Sequence, residues 1–135
     1  MELTLIASDI YKVAAVSNNG SCPALDFIKS LEATYTSNGD ALLALLDKVS
    51  RDGLADLSTV LCHEVDKNEK IFEFIKGRLR LFFFKGKGEM IVICTDVGIK
   101  KSNKVDRSQV DKAIKCKQNY LNAVKENKLV VKEST

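Results

Sequence analysis

The hydrophobic pattern in the first half of the chain predicts one strand followed by two helices. Residues 3–16, LTLIASDIYKVAAV, are apolar and partly β-branched, which favours an N-terminal strand. Residues 22–32, CPALDFIKSLE, carry apolar side chains at helical spacing, and Pro23 suits a first helical turn. Residues 40–53 repeat this spacing and end in Gly53, a residue type common just after a helix.

Short apolar segments separated by glycines predict a sheet in the middle of the chain. The expected strands are residues 71–75, 78–84 and 90–97. The loop at 85–89 has two glycines that can adopt positive φ, and loops this short join antiparallel strands. Residues 54–70 show no clear period and are predicted to be a connector.

An apolar stripe at helical spacing predicts a C-terminal helix. Asp106, with Gln109 three residues later, resembles the capping box that begins a helix. Residues 129–135 are either a short edge strand or a loose tail. Because the strands and the helices are segregated along the chain, we expect a single α+β domain over residues 1–135, with two N-terminal helices and a C-terminal helix packed on a small sheet.

Composition indicates an ordinary water-soluble protein. The chain has 135 residues, of which 45% are hydrophobic and 29% charged. No apolar run approaches the roughly 20 residues that span a bilayer, and the N-terminus lacks the basic start of a signal peptide. We therefore expect a cytoplasmic protein with no membrane partner. The net charge of +3 is modest, but most Lys and Arg residues lie in residues 76–132.

The cysteines and the one histidine give no metal or nucleophile pattern. Cys22, Cys62, Cys94 and Cys116 lack the Cys-x-x-Cys spacing of a zinc site, so we expect reduced, buried thiols and neither a metal nor another cofactor. His63 adjoins Cys62, but neighbours in sequence point in different directions, which argues against a Cys–His nucleophile pair.

The strand predicted at residues 78–84 has two different faces, because side chains alternate along a strand. The apolar face consists of Leu79, Leu81 and Phe83 and is expected to pack against helices. The mixed face consists of Arg78, Arg80, Phe82 and Phe84. The arginines suit contacts with phosphate. The two rings have two open placements, stacked on unpaired RNA bases or packed beneath a helix.

Lysines near the ends of these strands extend the mixed face. If the strands form a simple hairpin, one cationic group would combine Arg78, Arg80, Lys85, Lys87, Lys100, Lys101 and Lys104. Like charges repel, so gathering them lowers stability unless a polyanion is the partner. This favours a nucleic-acid surface, and the alternative is the ordinary solvated face of a sheet.

Three segments, in this order, resemble the HigB-like branch of the RelE/ParE superfamily, the toxins of bacterial and phage type II toxin–antitoxin modules. They are CPALDFIKSL, IFEFIKGRLRLFFF and GIKKSNKVDRSQVDKA. The resemblance covers about residues 20–124 and implies a RelE-like fold, with a small antiparallel-rich sheet. Asp96 stands where that branch often has histidine, and Ile75 where it often has arginine.

The resemblance implies an mRNA interferase, a metal-independent endoribonuclease that cuts mRNA on the translating ribosome and so inhibits translation. It assigns Arg78 and Arg80 to the phosphate and its transition-state charge, and Lys100 and Lys101 to RNA binding or proton transfer. Glu73 is either a general base or an ion-pair partner of these cations. The further RNA-binding candidates are Lys85, Lys87, Lys104, Phe82 and Phe84.

The same resemblance implies a cognate antitoxin, of the helix-turn-helix type, together with the ribosome and its mRNA as partners. Three alternatives stay open. One is a ParE-like toxin that binds gyrase without cutting RNA, and another is a remnant that binds only RNA or its antitoxin. The third is a general RNA-binding domain.

Overall fold

The computed structural model describes residues 1–104 and 106–134, and over these ranges the chain forms a seven-stranded sheet and three α-helices. The strands are β1 (Glu2–Ser8), β2 (Lys12–Ser17), β3 (Cys62–Asp66), β4 (Ile71–Lys76), β5 (Leu79–Phe84), β6 (Met90–Ile99) and β7 (Val130–Glu133). The helices are α1 (Pro23–Lys29), α2 (Thr36–Asp52) and α3 (Arg107–Lys125), with a 3₁₀ turn at Ala33–Tyr35. No helix within the described ranges has both the length and the apolar character to cross a bilayer.

The sheet is mixed, and its strand order is β3-β4-β5-β6-β2-β1-β7. Four neighbouring pairs are antiparallel, whereas β2 lies parallel to β6 and β1 parallel to β7. The expected α+β, RelE-like arrangement of a small antiparallel-rich sheet on two N-terminal helices is therefore wrong. The sheet dominates the molecule, and helices cover both of its faces.

Three features of the sheet differ from the sequence prediction. Residues 3–16 are not one strand but the β1–β2 hairpin, since the Asp9 N–H donates to the Tyr11 carbonyl (3.0 Å) and the chain reverses. β3 lies inside the predicted connector; it is an outer strand with no fully buried residue, so it carries no hydrophobic alternation. The sequence left residues 129–135 as either an edge strand or a loose tail, and in the structure β7 is an edge strand there. Thr135 lies outside the described residues.

Two hydrophobic clusters hold the helices on the sheet. On the face covered by α1 and α2, the apolar side of β5 is fully buried, as alternation predicts; its members are Leu79, Leu81 and Phe83. On the other face Phe82 and Phe84 lie beneath α3 with Val110 and Tyr120. Of the two placements that the sequence left open, Phe82 and Phe84 thus adopt packing beneath a helix. Neither presents a ring face on which a base could stack.

Gly77 forms the tight link between β4 and β5, and we expect its replacement to destabilise the fold. Its φ is +57°, and a Cβ there would overlap the Asn38 amide of α2. Gly88 has a similar φ of +61° with open space around it, so replacing Gly88 measures the cost of backbone strain alone. Left-handed backbone costs an L residue roughly 1–2 kcal/mol. In urea unfolding, Gly77→Ala should lose more stability than Gly88→Ala; equal losses would contradict a steric role for Asn38.

Glu2 ties three strands together through a set of hydrogen-bond donors. Ser17 Oγ donates to Glu2 Oε2 (2.6 Å), the Gly20 N–H donates to the same oxygen (3.0 Å), and Lys132 Nζ lies 3.1 Å from Oε1. These donors, Ser17 first among them, lower the pKa of Glu2 from 4.5 to about 2. Because the pKa is lowered on folding, this carboxylate contributes stability above about pH 4.5 and loses it as the pH falls toward 2.

We therefore expect Glu2→Gln to be less stable than the wild type at neutral pH, with the difference shrinking between about pH 4.5 and 2. The amide cannot ionise, so the variant lacks the Glu2 contribution at every pH. Urea midpoints measured across this range check the prediction. Glu133→Gln removes an exposed carboxylate of the adjacent β7 and serves as the control. A Glu2→Gln deficit that stays constant down to about pH 2 would refute the assignment.

Candidate functional site

A cleft of about 360 Å³ opens where β5 and β6 meet the start of α3. Its cationic lining residues are Arg80, Lys100, Lys101 and Lys104, and its acidic lining residues are Glu73 and Asp106. We call this feature the basic cleft. It brings together four of the seven cations that the sequence placed in one group, along with the predicted base Glu73.

The pairing of β5 with β6 positions the cations of the basic cleft. Arg80 lies opposite Gly98, and the two strands continue to pair beyond Ile99. There the Lys100 N–H donates to the Arg78 carbonyl (2.7 Å), and Arg78 Nη1 donates to the Lys100 carbonyl (3.1 Å). Lys100 and Lys101 therefore leave the sheet beside the end of β5 that carries Arg80.

Arg80 crosses the floor of the cleft with only part of its guanidinium occupied. Its Nη1 donates to the carbonyls of Gly77 (2.7 Å) and Leu79 (3.0 Å). Its Nε is buried and, among the described residues, has no hydrogen-bond partner. A guanidinium has five N–H donors, and leaving buried donors unpaired is costly. Arg80 therefore keeps capacity for an anionic ligand.

Glu73 is buried between Arg80 and His63. Its Oε1 lies 3.8 Å from Arg80 Nε and 3.0 Å from His63 Nε2. Glu73 therefore lies on the same face of the sheet as Arg80 and within ion-pair distance of it, and both roles predicted for it, general base and ion-pair partner, stay open. His63 was missed as a site residue because β3, which carries it, has no strand signal in the sequence.

The start of α3 closes the cleft from above. Asp106 caps the helix, accepting from the Ser108 hydroxyl (2.6 Å) and from the N–H groups of Ser108 (3.0 Å) and Gln109 (3.3 Å). These bonds, that of the Ser108 hydroxyl first, lower the pKa of Asp106. The helix can come this close because Gly98 has no side chain; a Cβ there would lie 2.8 Å from Gln109 Nε2. The partial positive charge of a helix N-terminus adds to the field of the lysines.

The two residues that depart from the family pattern, Asp96 and Ile75, lie at the edge of this site. Asp96 accepts from Gln109 Nε2 (3.3 Å) and lies 3.8 Å from Lys112 Nζ, so it anchors α3. The Gln109 side chain therefore contacts Asp96 instead of reaching back to the backbone N–H of Asp106, so the capping box is incomplete. Ile75 pairs with Arg80 across β4 and β5, which leaves Arg80 as the only arginine in that row of the described sheet.

Three predicted cations lie outside the basic cleft. Arg78 lines a neighbouring cavity of about 430 Å³ beside α1, and Lys100 and Lys101 line both cavities. Lys85 and Lys87 follow the opposite end of β5, about 17 Å from its start at the usual rise per residue. There Lys85 Nζ lies 4.8 Å from the centroid of the Phe72 ring. Antiparallel pairing separates this loop from the lysines that follow β6.

The four cysteines are free, and none lines the basic cleft. Cys22 and Cys94 are buried, and Cys62 and Cys116 are half-buried. Burial raises the pKa of all four thiols, to about 11 for Cys62, so they carry no nucleophilic thiolate at neutral pH. Among residues 1–104 and 106–134, no three His, Cys, Asp or Glu side chains form a cluster that could hold a metal ion.

Fold and site together define a small protein built on one sheet, with a cleft lined mainly by cationic side chains. Residues 26–118 match the model of the family described as phage-derived Gp49-like protein (DUF891). The match covers more than half of the chain, so the protein belongs to the Gp49-like family, a family of toxin–antitoxin toxins related to the RelE and HigB types. It includes the whole basic cleft and leaves β1, β2 and β7 outside. No curated protein matches the chain.

Proposed function

We propose that this protein is the toxin of a type II toxin–antitoxin module and that it is a HigB-like mRNA interferase, a metal-independent endoribonuclease that cuts mRNA on the ribosome. The observation that carries the proposal is the basic cleft, which sets Arg80 and three lysines around a buried carboxylate. Membership of the Gp49-like family supports the toxin role. The proposed partners are a helix-turn-helix antitoxin, the ribosome and its mRNA.

The arrangement of cations suits the backbone of a single RNA strand. Lys100 and Lys101 line both the basic cleft and the neighbouring cavity that contains Arg78. A strand could therefore place one phosphate at Arg80 and another at Arg78, with the two lysines between them. Lys104 extends the same surface toward α3. Lys85 and Lys87 lie beyond the far end of β5 and have no part in this proposal. Phe82 lines the basic cleft, but its ring and that of Phe84 are buried, so neither is assigned a base.

The proposed reaction uses the ribose of the RNA as its nucleophile. The 2′-oxygen forms a bond to the adjacent phosphorus while the bond from phosphorus to the 5′-oxygen breaks, which gives a 2′,3′-cyclic phosphate and a 5′-hydroxyl. Arg80 stabilises the charge that builds on the phosphoryl oxygens. Glu73 takes the proton of the 2′-hydroxyl, and Lys100 or Lys101 donates one to the departing 5′-oxygen. Exchange with water then restores both groups.

Expression of the wild-type chain should arrest growth and create new 5′ ends in cellular mRNA. Arg80→Ala should lower cleavage by roughly 10²–10³-fold, since it removes the donor to the transition-state charge. Lys48→Ala removes an exposed cation of α2, on the opposite face of the sheet, and should behave like the wild type. Primer extension after induction measures both. Absence of new 5′ ends with the wild type would refute the nuclease assignment.

A binding toxin without nuclease activity is the second candidate. The position at which the family often has histidine is occupied by Asp96, and Asp96 is engaged with α3. This observation favours a chain that binds RNA, its antitoxin or gyrase without cutting RNA. Growth arrest with intact mRNA and broken DNA would identify a gyrase poison, and RNA binding with neither effect would identify a remnant.

Binding alone can be tested through its salt dependence. Each phosphate contact with single-stranded nucleic acid adds about 0.7 to the slope of log K against log salt. Lys100→Ala/Lys101→Ala should therefore lower that slope by about 1.4 for a single-stranded RNA. Lys48→Ala/Lys125→Ala removes two exposed cations from elsewhere and should leave the slope near its wild-type value. An unchanged slope in the first variant would contradict the placement of RNA in the cleft.

A further inference from the structure

We infer that His63 is a positioning residue for Glu73, holding in place the carboxylate that accepts the proton in the proposed cleavage. The inference rests on the proposed function. It concerns a residue that does not line the basic cleft and that stands on a strand outside the sequence-predicted sheet.

Strand pairing places His63 and Glu73 side by side. His63 lies opposite Glu73 in the β3–β4 pair, and Glu73 lies opposite Phe82 in the β4–β5 pair. Residues opposite each other across neighbouring strands share a face of the sheet. All three side chains therefore lie on the α3 face, in one row that leads from the outer strand into the cleft.

Two side chains approach the Glu73 carboxylate, at different distances. His63 Nε2 lies 3.0 Å from Glu73 Oε1, within hydrogen-bond range, whereas Arg80 Nε lies 3.8 Å from the same oxygen. The imidazole is thus the closer partner. Because both contacts are made to Oε1, the proposal assigns the acceptance of the 2′-hydroxyl proton to Oε2.

Exposure explains why a histidine at this position would matter. The Glu73 side chain is 4% exposed and that of His63 is 38% exposed. Glu73 is thus shielded from bulk water, and the imidazole of the outer strand stands beside its Oε1 instead. A buried carboxylate needs such partners, because removing it from water unpaired is costly.

The charged groups around His63 leave Glu73 as its acidic partner. From β5, Arg80 approaches Glu73 from the other side. On β3 itself, Glu64 points to the opposite face, and Asp66 is engaged by Arg107 Nη1 of α3 (3.0 Å). The imidazole therefore has Glu73 as its acidic neighbour, and the position of that carboxylate depends on the contact.

The test measures mRNA cleavage by the full chain on translating ribosomes, as kcat and KM at neutral pH. His63→Ala should lower kcat by about tenfold or more with KM unchanged, because the imidazole does not touch RNA. His63→Gln keeps an N–H donor, so it should recover most of kcat.

Glu64→Ala is the matched control, since Glu64 is exposed on the same strand and faces the other way. Its kcat and KM should equal those of the wild type. If His63→Ala keeps the wild-type kcat while Arg80→Ala is inactive, the role of His63 is refuted and the proposed function stands. A wild-type chain that cuts no RNA refutes both. Should His63→Ala fail to fold, the kcat of His63→Leu, which keeps most of the side-chain volume without a donor, decides alone.

Discussion

The antiparallel pairing of β5 with β6 determines which charged side chains meet in this protein. Arg80 lies opposite Gly98, and the pairing continues past the strand ends through two hydrogen bonds between Arg78 and Lys100. The lysine pair thus emerges beside Arg80, whereas the hairpin lysines are carried to the far end of the same strands. A shift of one residue in this register would turn Arg80 toward the opposite face and into the core under α1 and α2. The site therefore depends on the backbone ladder before it depends on any side-chain contact.

Hydrophobic burial, more than polar contact, places α3 over this ladder. Phe82 and Phe84 are covered by α3, and burying one such ring is worth roughly 1.5–3 kcal/mol. The polar contacts of Asp96 with α3 are half-exposed and at or beyond 3.3 Å, and ion pairs of that kind contribute about 1 kcal/mol or less. The two rings therefore serve the site indirectly. By fixing α3, they hold the capped helix start above Arg80, where its partial positive charge faces the cleft.

Much of the fold could be predicted where apolar side chains follow a period, and little where they do not. The three helices and strands β4, β5 and β6 follow such periods, within a few residues of their bounds. β3 is an outer strand without a buried residue, and the β1–β2 turn carries no glycine or proline. The cations of the site were visible as residue types. Predicting that these cations divide between the two ends of a hairpin needs the directions of the strands. Predicting the contact of His63 with Glu73 needs strand β3, which no hydrophobic pattern indicates.

The buried carboxylate shows why the site is more than a cationic surface. Removing a carboxylate from water without a partner would cost several kcal/mol, so Glu73 needs its neighbours Arg80 and His63. An ion pair built for stability alone would bring Arg80 into direct, bidentate contact with Glu73. Instead, the closest approach of Arg80 is 3.8 Å, its Nε has no acceptor in the described part of the chain, and His63 is the nearer partner. This spacing leaves the guanidinium free for a second partner and the carboxylate able to accept a proton, which is the separation of tasks that the proposed RNA cleavage needs.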